Sequence, residues 1–95
     1  MNTSERSIEQ HFIWAVLMLG GKTYKFRSVT QNGVADRIAC LPDGSTWFVE
    51  IKQAKGKLSK LQTLFAADVI ALRQTYACLR SKEDINEWMY ARKGL

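Results

Sequence analysis

The single proline of this 95-residue chain lies in Pro42-Asp43-Gly44, between two runs rich in β-branched and apolar residues. That triplet constrains the fold more than any other stretch. Proline favours the first central position of a type I turn, aspartate suits the second, and glycine takes the left-handed residue that follows. The result is a three-residue hairpin loop with a G1 bulge, which pairs Leu41 with Ser45. Counting back along the ladder sets Asp36 opposite Glu50, with Cβ atoms about 5 Å apart on one face of the sheet. Lys52, two residues beyond Glu50, projects from the same face. A symmetric four-residue loop would set Asp36 against Ile51 and turn it to the other side.

The remaining elements follow from caps and periodicity. Ser4 can cap a helix over residues 5–19, which Gly20-Gly21 stops. Its second half is apolar on every side, so either its own domain or another subunit must cover it. Residues 23–29 read as a strand and Gln31-Asn32-Gly33 as a turn. The hairpin strands span 35–41 and 46–52. A basic loop follows at 53–58, and Ser59 opens a helix to about Gln74 with Leu61, Leu64, Phe65, Val69 and Leu72 along one side. Residues 76–80 form a short strand, and Ser81 caps a last helix carrying Ile85, Trp88 and Met89. The order αβββαβα predicts a single α/β domain over residues 1–95, with a mixed four-stranded sheet and helices on its faces.

An apolar fraction of 46% excludes a disordered chain. Fourteen Lys and Arg against nine Asp and Glu give +5, a balance that suits nucleic acid or an anionic membrane face. The apolar run at 12–19 is far shorter than the ~18 residues a membrane span needs. Glu5 and Glu9 beside Arg6 are unlike the basic start of a signal peptide, so an intracellular protein with no membrane partner is expected. Cys40 and Cys78, without a CxxC or a Cys/His cluster, are expected as buried reduced thiols rather than zinc ligands.

Two carboxylates as close as Asp36 and Glu50 repel unless a cation lies between them. Hard oxygen donors select Mg²⁺ or Mn²⁺ over zinc. A lysine beside them can hold a water or hydroxide and offset charge on a pentacovalent phosphate. The bland alternative is a pair of solvated charges near strand ends, with Glu50 and Lys52 an incidental ion pair.

Three blocks in order, Gly33-Val-Ala-Asp36-Arg37-Ile38, Phe48-Val-Glu50-Ile-Lys52 and Gly56-Lys57-Leu-Ser59-Lys60-Leu61-Gln62, resemble the VRR-NUC nuclease family of the PD-(D/E)xK superfamily. The likeness is to its stand-alone phage and bacterial type and covers roughly residues 5–90. Ala35 departs from the proline common before the aspartate, which touches backbone stiffness rather than metal chemistry. The resemblance implies a restriction-endonuclease-like αβββαβ core and a metal-dependent DNA endonuclease. It implies that Asp36, Glu50 and the backbone carbonyl of Ile51 ligate the ion, and that Lys52 orients the attacking water. Gln62 matches the glutamine of the following helix. Glu9 matches the acidic residue of the first helix, which reaches the metal or its water shell. It further implies action on branched DNA, especially four-way junctions, as a homodimer.

Each secondary assignment has a structural rival. Ser59-x-x-Gln62 fits a capping box. Glu9 shares a helical arc with Phe12, Ile13 and Val16, so it points inward and needs a partner, whether a metal, Arg6 or a core-edge position. Lys55, Lys57 and Lys60, with Lys22, Lys25 and Arg27 on the neighbouring strand and turn, suit phosphate contacts without base readout, or else a solvated face. Arg37 could pair with a carboxylate or with DNA. His11 is read as structural, and Trp14, Trp47 and Trp88 as core or interface. The rival functions are a catalytically silent DNA-binding module on the same fold and a basic protein-interaction domain. No small-molecule cofactor is expected. The setting expected is the cytoplasm of a bacterium or a phage-infected host cell.

Overall fold

The hairpin forms in the register that its turn chemistry dictates. In the computed structural model, which describes residues 4–26 and 33–94, Leu41 N–H donates to Ser45 O at 3.0 Å. Gly44 adopts φ 88°, and Gly44 N–H closes the turn onto Leu41 O. Asp43 Oδ1 accepts from both the amide (2.8 Å) and the hydroxyl (2.6 Å) of Ser45, which stiffens the corner. From there β2 (Arg37–Cys40) runs antiparallel to β3 (Thr46–Ile51), with Arg37 opposite Val49 and Ile38 opposite Phe48.

β1 (Lys22–Lys25) pairs antiparallel with β2 on its other side, and β4 (Thr75–Leu79) lies parallel to β3. The four strands are therefore ordered as in the chain, in one mixed sheet. This is the α/β, αβββαβ architecture that the sequence predicts. The expected strand over 23–29 is described only to Phe26, whose N–H donates to Asp36 O at 2.7 Å. Arg27, Val29, Gln31 and Asn32 lie outside the described residues.

Alternation along the strands divides the molecule into two faces. One face holds α1 (Glu5–Met18) and α3 (Lys82–Lys93). There Ile8, Phe12 and Val16 meet Ala39, Val49, Ile51, Leu79, Ile85 and Met89 in one apolar cluster. Ser4 caps α1 and Ser81 caps α3, each accepting from an amide three residues on. His11 Nε2 bonds Asn86 Oδ1 at 2.8 Å and stacks on Trp14, tying α1 to α3.

The other face carries α2 (Lys60–Ala71), which packs over β3 and β4, with Phe65 edge-on to Phe48. Ala66 and Val69 are buried, whereas Leu61, Leu64 and Leu72 point outward, so the predicted row only partly marks the contact. α2 is apolar around most of its circumference, and sheet shape rather than sequence period decides which side is covered. It ends before Gln74 because Arg73 turns left-handed at φ 62°. The β1–β2 part of this face stays open. Hence Cys40 on β2 is exposed; Cys78 on β4 is half-buried, and together they correct the expectation of two buried thiols.

Candidate active site

The antiparallel register carried one residue beyond β2 sets Asp36 across from Glu50. The parallel register of the next pair sets Glu50 against Cys78. Both carboxyls lie on the α2 face, near where the strands end. Glu50 is 2% exposed, and Asp36 is the acid that acts on its carboxyl most strongly. Burial, then the bond to Asp36 and its charge, push the Glu50 acid up to about 9. Lys52 acts in the opposite direction, so its ammonium lies within electrostatic reach of the pair. Asp36 Oδ2 also accepts from the Ile51 amide at 3.2 Å, which fixes its side chain against β3.

Gly33 explains part of the fit. It adopts φ 86°, and a Cβ there would lie 2.6 Å from the backbone carbon of Leu61. Glycine thus lets the chain entering Asp36 touch the first turn of α2. That turn is closed by a reciprocal capping box: Ser59 Oγ accepts from Gln62 N at 3.1 Å, and Gln62 Oε1 accepts from Ser59 N at 2.9 Å. Gln62 is half-buried, and its hydrogen bonds are those of the cap.

Glu9 turns inward as its helical position predicts, and the partner side chain it finds is Arg37 rather than Arg6. Arg37 Nη1 donates to Glu9 Oε2 at 2.9 Å, and Arg37 Nε donates to Thr23 Oγ1 at 3.2 Å. Arg37 leaves β2 on the side opposite Asp36, so this ion pair belongs to the α1 face. The α1 carboxylate whose charge reaches Glu50 is Glu5, one turn earlier.

Three neighbours of the pair went unmarked by sequence reasoning. Phe26 stands beside Asp36 on the same face and is 36% exposed. Cys78 stands beside Glu50, with burial holding its thiol in the protonated form. Tyr76, one row away opposite Phe48, has a buried hydroxyl with no hydrogen-bond partner among the described residues. Only the β3–β4 register reveals the last two, and no turn residue encodes a parallel register.

The basic residues separate. Lys55, Lys57 and Lys60 are exposed along the segment directly after Lys52. Lys22 and Lys25 are exposed on β1, but their alternate positions send them to opposite faces, and Lys22 pairs with Cys40 at the end remote from Asp36. Arg27 lies outside the described residues.

The donor set fits a hard divalent cation. A nearly inaccessible carboxyl held against a second acid is an arrangement that protonation or a cation must neutralise, and carboxylate oxygens suit Mg²⁺ or Mn²⁺. Among the described residues no three His, Cys, Asp or Glu side chains converge as a closed cage. Two carboxylates and a backbone carbonyl such as that of Ile51 match an ion that keeps several of its waters.

No protein-family model matches the chain. Over 79 residues it is 38% identical to "Putative nuclease p44" of Acyrthosiphon pisum secondary endosymbiont phage 1, covering 83% of this chain and 85% of that protein. A solved "VRR_NUC domain" superposes with a TM-score of 0.86 over 90% of this chain and 94% of its own, at 21% identity, a likeness of fold.

Proposed function

This chain belongs to the stand-alone VRR-NUC family of nucleases, and from that premise we propose that residues 1–95 form one domain that hydrolyses DNA phosphodiesters with Mg²⁺ or Mn²⁺. The observation that carries the proposal is the buried Glu50 carboxyl set across the β2–β3 register from Asp36, within electrostatic reach of Lys52. Asp36, Glu50 and the Ile51 carbonyl would hold the ion. When bound, such an ion supplies Lewis acidity and lowers the pKa of a coordinated water. Lys52 orients the attacking water and balances negative charge on the phosphate as the bond to the leaving oxygen breaks. Asp36 keeps its aim through the Ile51 amide. Gln62 shapes the site through the cap of α2, and Glu9 would act only if its pairing with Arg37 opened. Lys55, Lys57 and Lys60, which follow Lys52 directly, draw the backbone of DNA toward the acids without reading sequence, whereas Lys22 and Lys25 stand apart from that path.

We further read the substrate as branched DNA such as a four-way junction, cut by a homodimer inside the cell. Two symmetric nicks need two sites. Trp14, Leu17 and Met18 are all exposed on one arc of α1, an apolar surface that a second copy would cover. No helix of the described residues is long and apolar enough to cross a membrane.

The test is incubation of labelled four-way junction and plain duplex with Mg²⁺ or Mn²⁺. Asp36→Ala and Lys52→Ala should each lose about 10³-fold or more in rate. Equal cleavage by wild type and both variants would exclude this site as the source of activity. Equal rates on junction and duplex would remove the branched-DNA preference. Sedimentation giving only monomer at micromolar concentration would remove the dimer.

A further inference from the structure

The C-terminal end of β4 bears a cation that neither the acid pair nor the apolar core uses. Arg80 Nη1 donates to two carbonyls of the loop after Lys52, those of Gln53 (3.3 Å) and Gly56. The same loop is closed by Gly56 N–H onto Gln53 O at 3.0 Å, which puts Lys55 at the exposed tip of a turn. Arg80 is itself anchored: its amide donates to Asp84 Oδ2 at 2.9 Å, and the Asp84 amide donates to Ser81 Oγ, the cap of α3. One residue earlier, Leu79 O accepts from the Lys52 amide at 3.1 Å. The end of β4 therefore grips the segment twice, at the start of the loop and across its turn.

In a loop rich in lysine and exposed at Gln53, Ala54, Lys55 and Lys57, hydrogen bonds set much of the shape. A guanidinium can satisfy two carbonyls at once because its donors are fixed in a plane, and an ammonium cannot copy that geometry. The loop's shape decides where Lys55 and Lys57 stand relative to the acids.

We propose that Arg80 is a positioning residue for DNA binding, clasping the 53–56 turn so that Lys55 and Lys57 face a phosphate backbone lying over Asp36 and Glu50. What the loop binds rests on the nuclease reading; the clasp does not. Arg80→Lys, which preserves net charge, tests it with two readouts. In limited trypsin digestion followed by mass spectrometry, cleavage after Lys55 and Lys57 should quicken about ten-fold while the other sites keep wild-type rates. Binding of DNA across a salt series should weaken three- to ten-fold, with a slope shallower by about one unit for each lysine that no longer meets a phosphate. KM should rise with kcat within about two-fold, since Lys52 keeps its own bond to Leu79.

If lysine still spans the turn, Arg80→Met, which has no donors, must show the faster nicking. Wild-type nicking in both variants overturns the proposal. So does proteolysis that accelerates evenly along the chain, because that would make Arg80 a support of the whole fold. Wild-type protein that cuts no DNA would sink the nuclease reading, while the digestion would still judge the clasp.

Discussion

Each face of the sheet draws in a carboxylate, partly on one side and almost wholly on the other, and the two faces treat it differently. On the α1 face Glu9, its side chain 23% exposed, meets the nearly buried Arg37 guanidinium at 2.9 Å. On the α2 face Glu50 meets only another acid, with Lys52 near enough to be felt but not paired as Arg37 is. An inaccessible charge costs several kcal/mol unless it is matched. The first face matches its charge within the chain and gains a fixed element. The second leaves a deficit of positive charge just before a lysine-rich loop, the asymmetry on which the proposed ion and DNA site rests.

The comparison breaks most readily on the α1 side. Arg37→Met leaves Glu9 without its cation and Thr23 Oγ1 without a donor. The expected loss is about 3 kcal/mol, or roughly 15 °C in Tm for a domain of this size. Glu9→Met with Arg37→Met should recover most of it. A single Arg37→Met variant melting within a few degrees of wild type would mean that the pair is solvated, and the contrast between the faces would vanish.

That pair also marks what the sequence could not deliver. Glu9 is readable as inward from its arc on α1, but Arg37 lies 28 residues away on β2 and its choice between protein and DNA is set only by tertiary packing. The register of Asp36 and Glu50, by contrast, was legible because Pro42-Asp43-Gly44 fixes it locally. Both ends of α1 and the start of α3 were legible for the same reason, through Ser4, Gly20-Gly21 and Ser81. Nothing local encodes the parallel β3–β4 register, so Tyr76, Cys78 and the Arg80 clasp stayed invisible. The α2 row failed because an almost uniformly apolar helix gives no period to read.

On the α2 side, Glu50→Gln should raise stability in the absence of metal. The Glu50 acid stands at about 9 in the fold against 4.5 unfolded, so the folded state binds the proton more tightly. Its contribution is complete below about pH 4.5 and drains away as pH climbs toward 9. Wild type in EDTA should therefore lose Tm steadily from pH 5 to pH 9, with the Glu50→Gln curve flatter and about 2 kcal/mol more stable at pH 8. Added Mg²⁺ or Mn²⁺ should reverse the order by stabilising wild type alone. Parallel pH curves for the two proteins, with the same response to metal, would show that Glu50 is already neutralised within the chain.

The smallest effect sharpens the same contrast at Tyr76. Its hydroxyl is buried with no partner one row from the acids, and burial first, then the charges of Cys78, Glu50 and Asp36, push its ionisation up to about 12. The neutral hydroxyl is thus the form present, and it is a donor with nothing to donate to. Tyr76→Phe removes an unsatisfied group without opening a cavity, so metal-free protein should gain about 1 kcal/mol, roughly 5 °C. Trp88 Nε1, likewise unpartnered, supplies the control on the α1 face, where no acid pair lies nearby. A fall in Tm for Tyr76→Phe would mean that in solution a water links the hydroxyl to Glu50 or Asp36. The α2 face would then hold a donor for its acids after all, and the deficit that draws a cation would be correspondingly smaller.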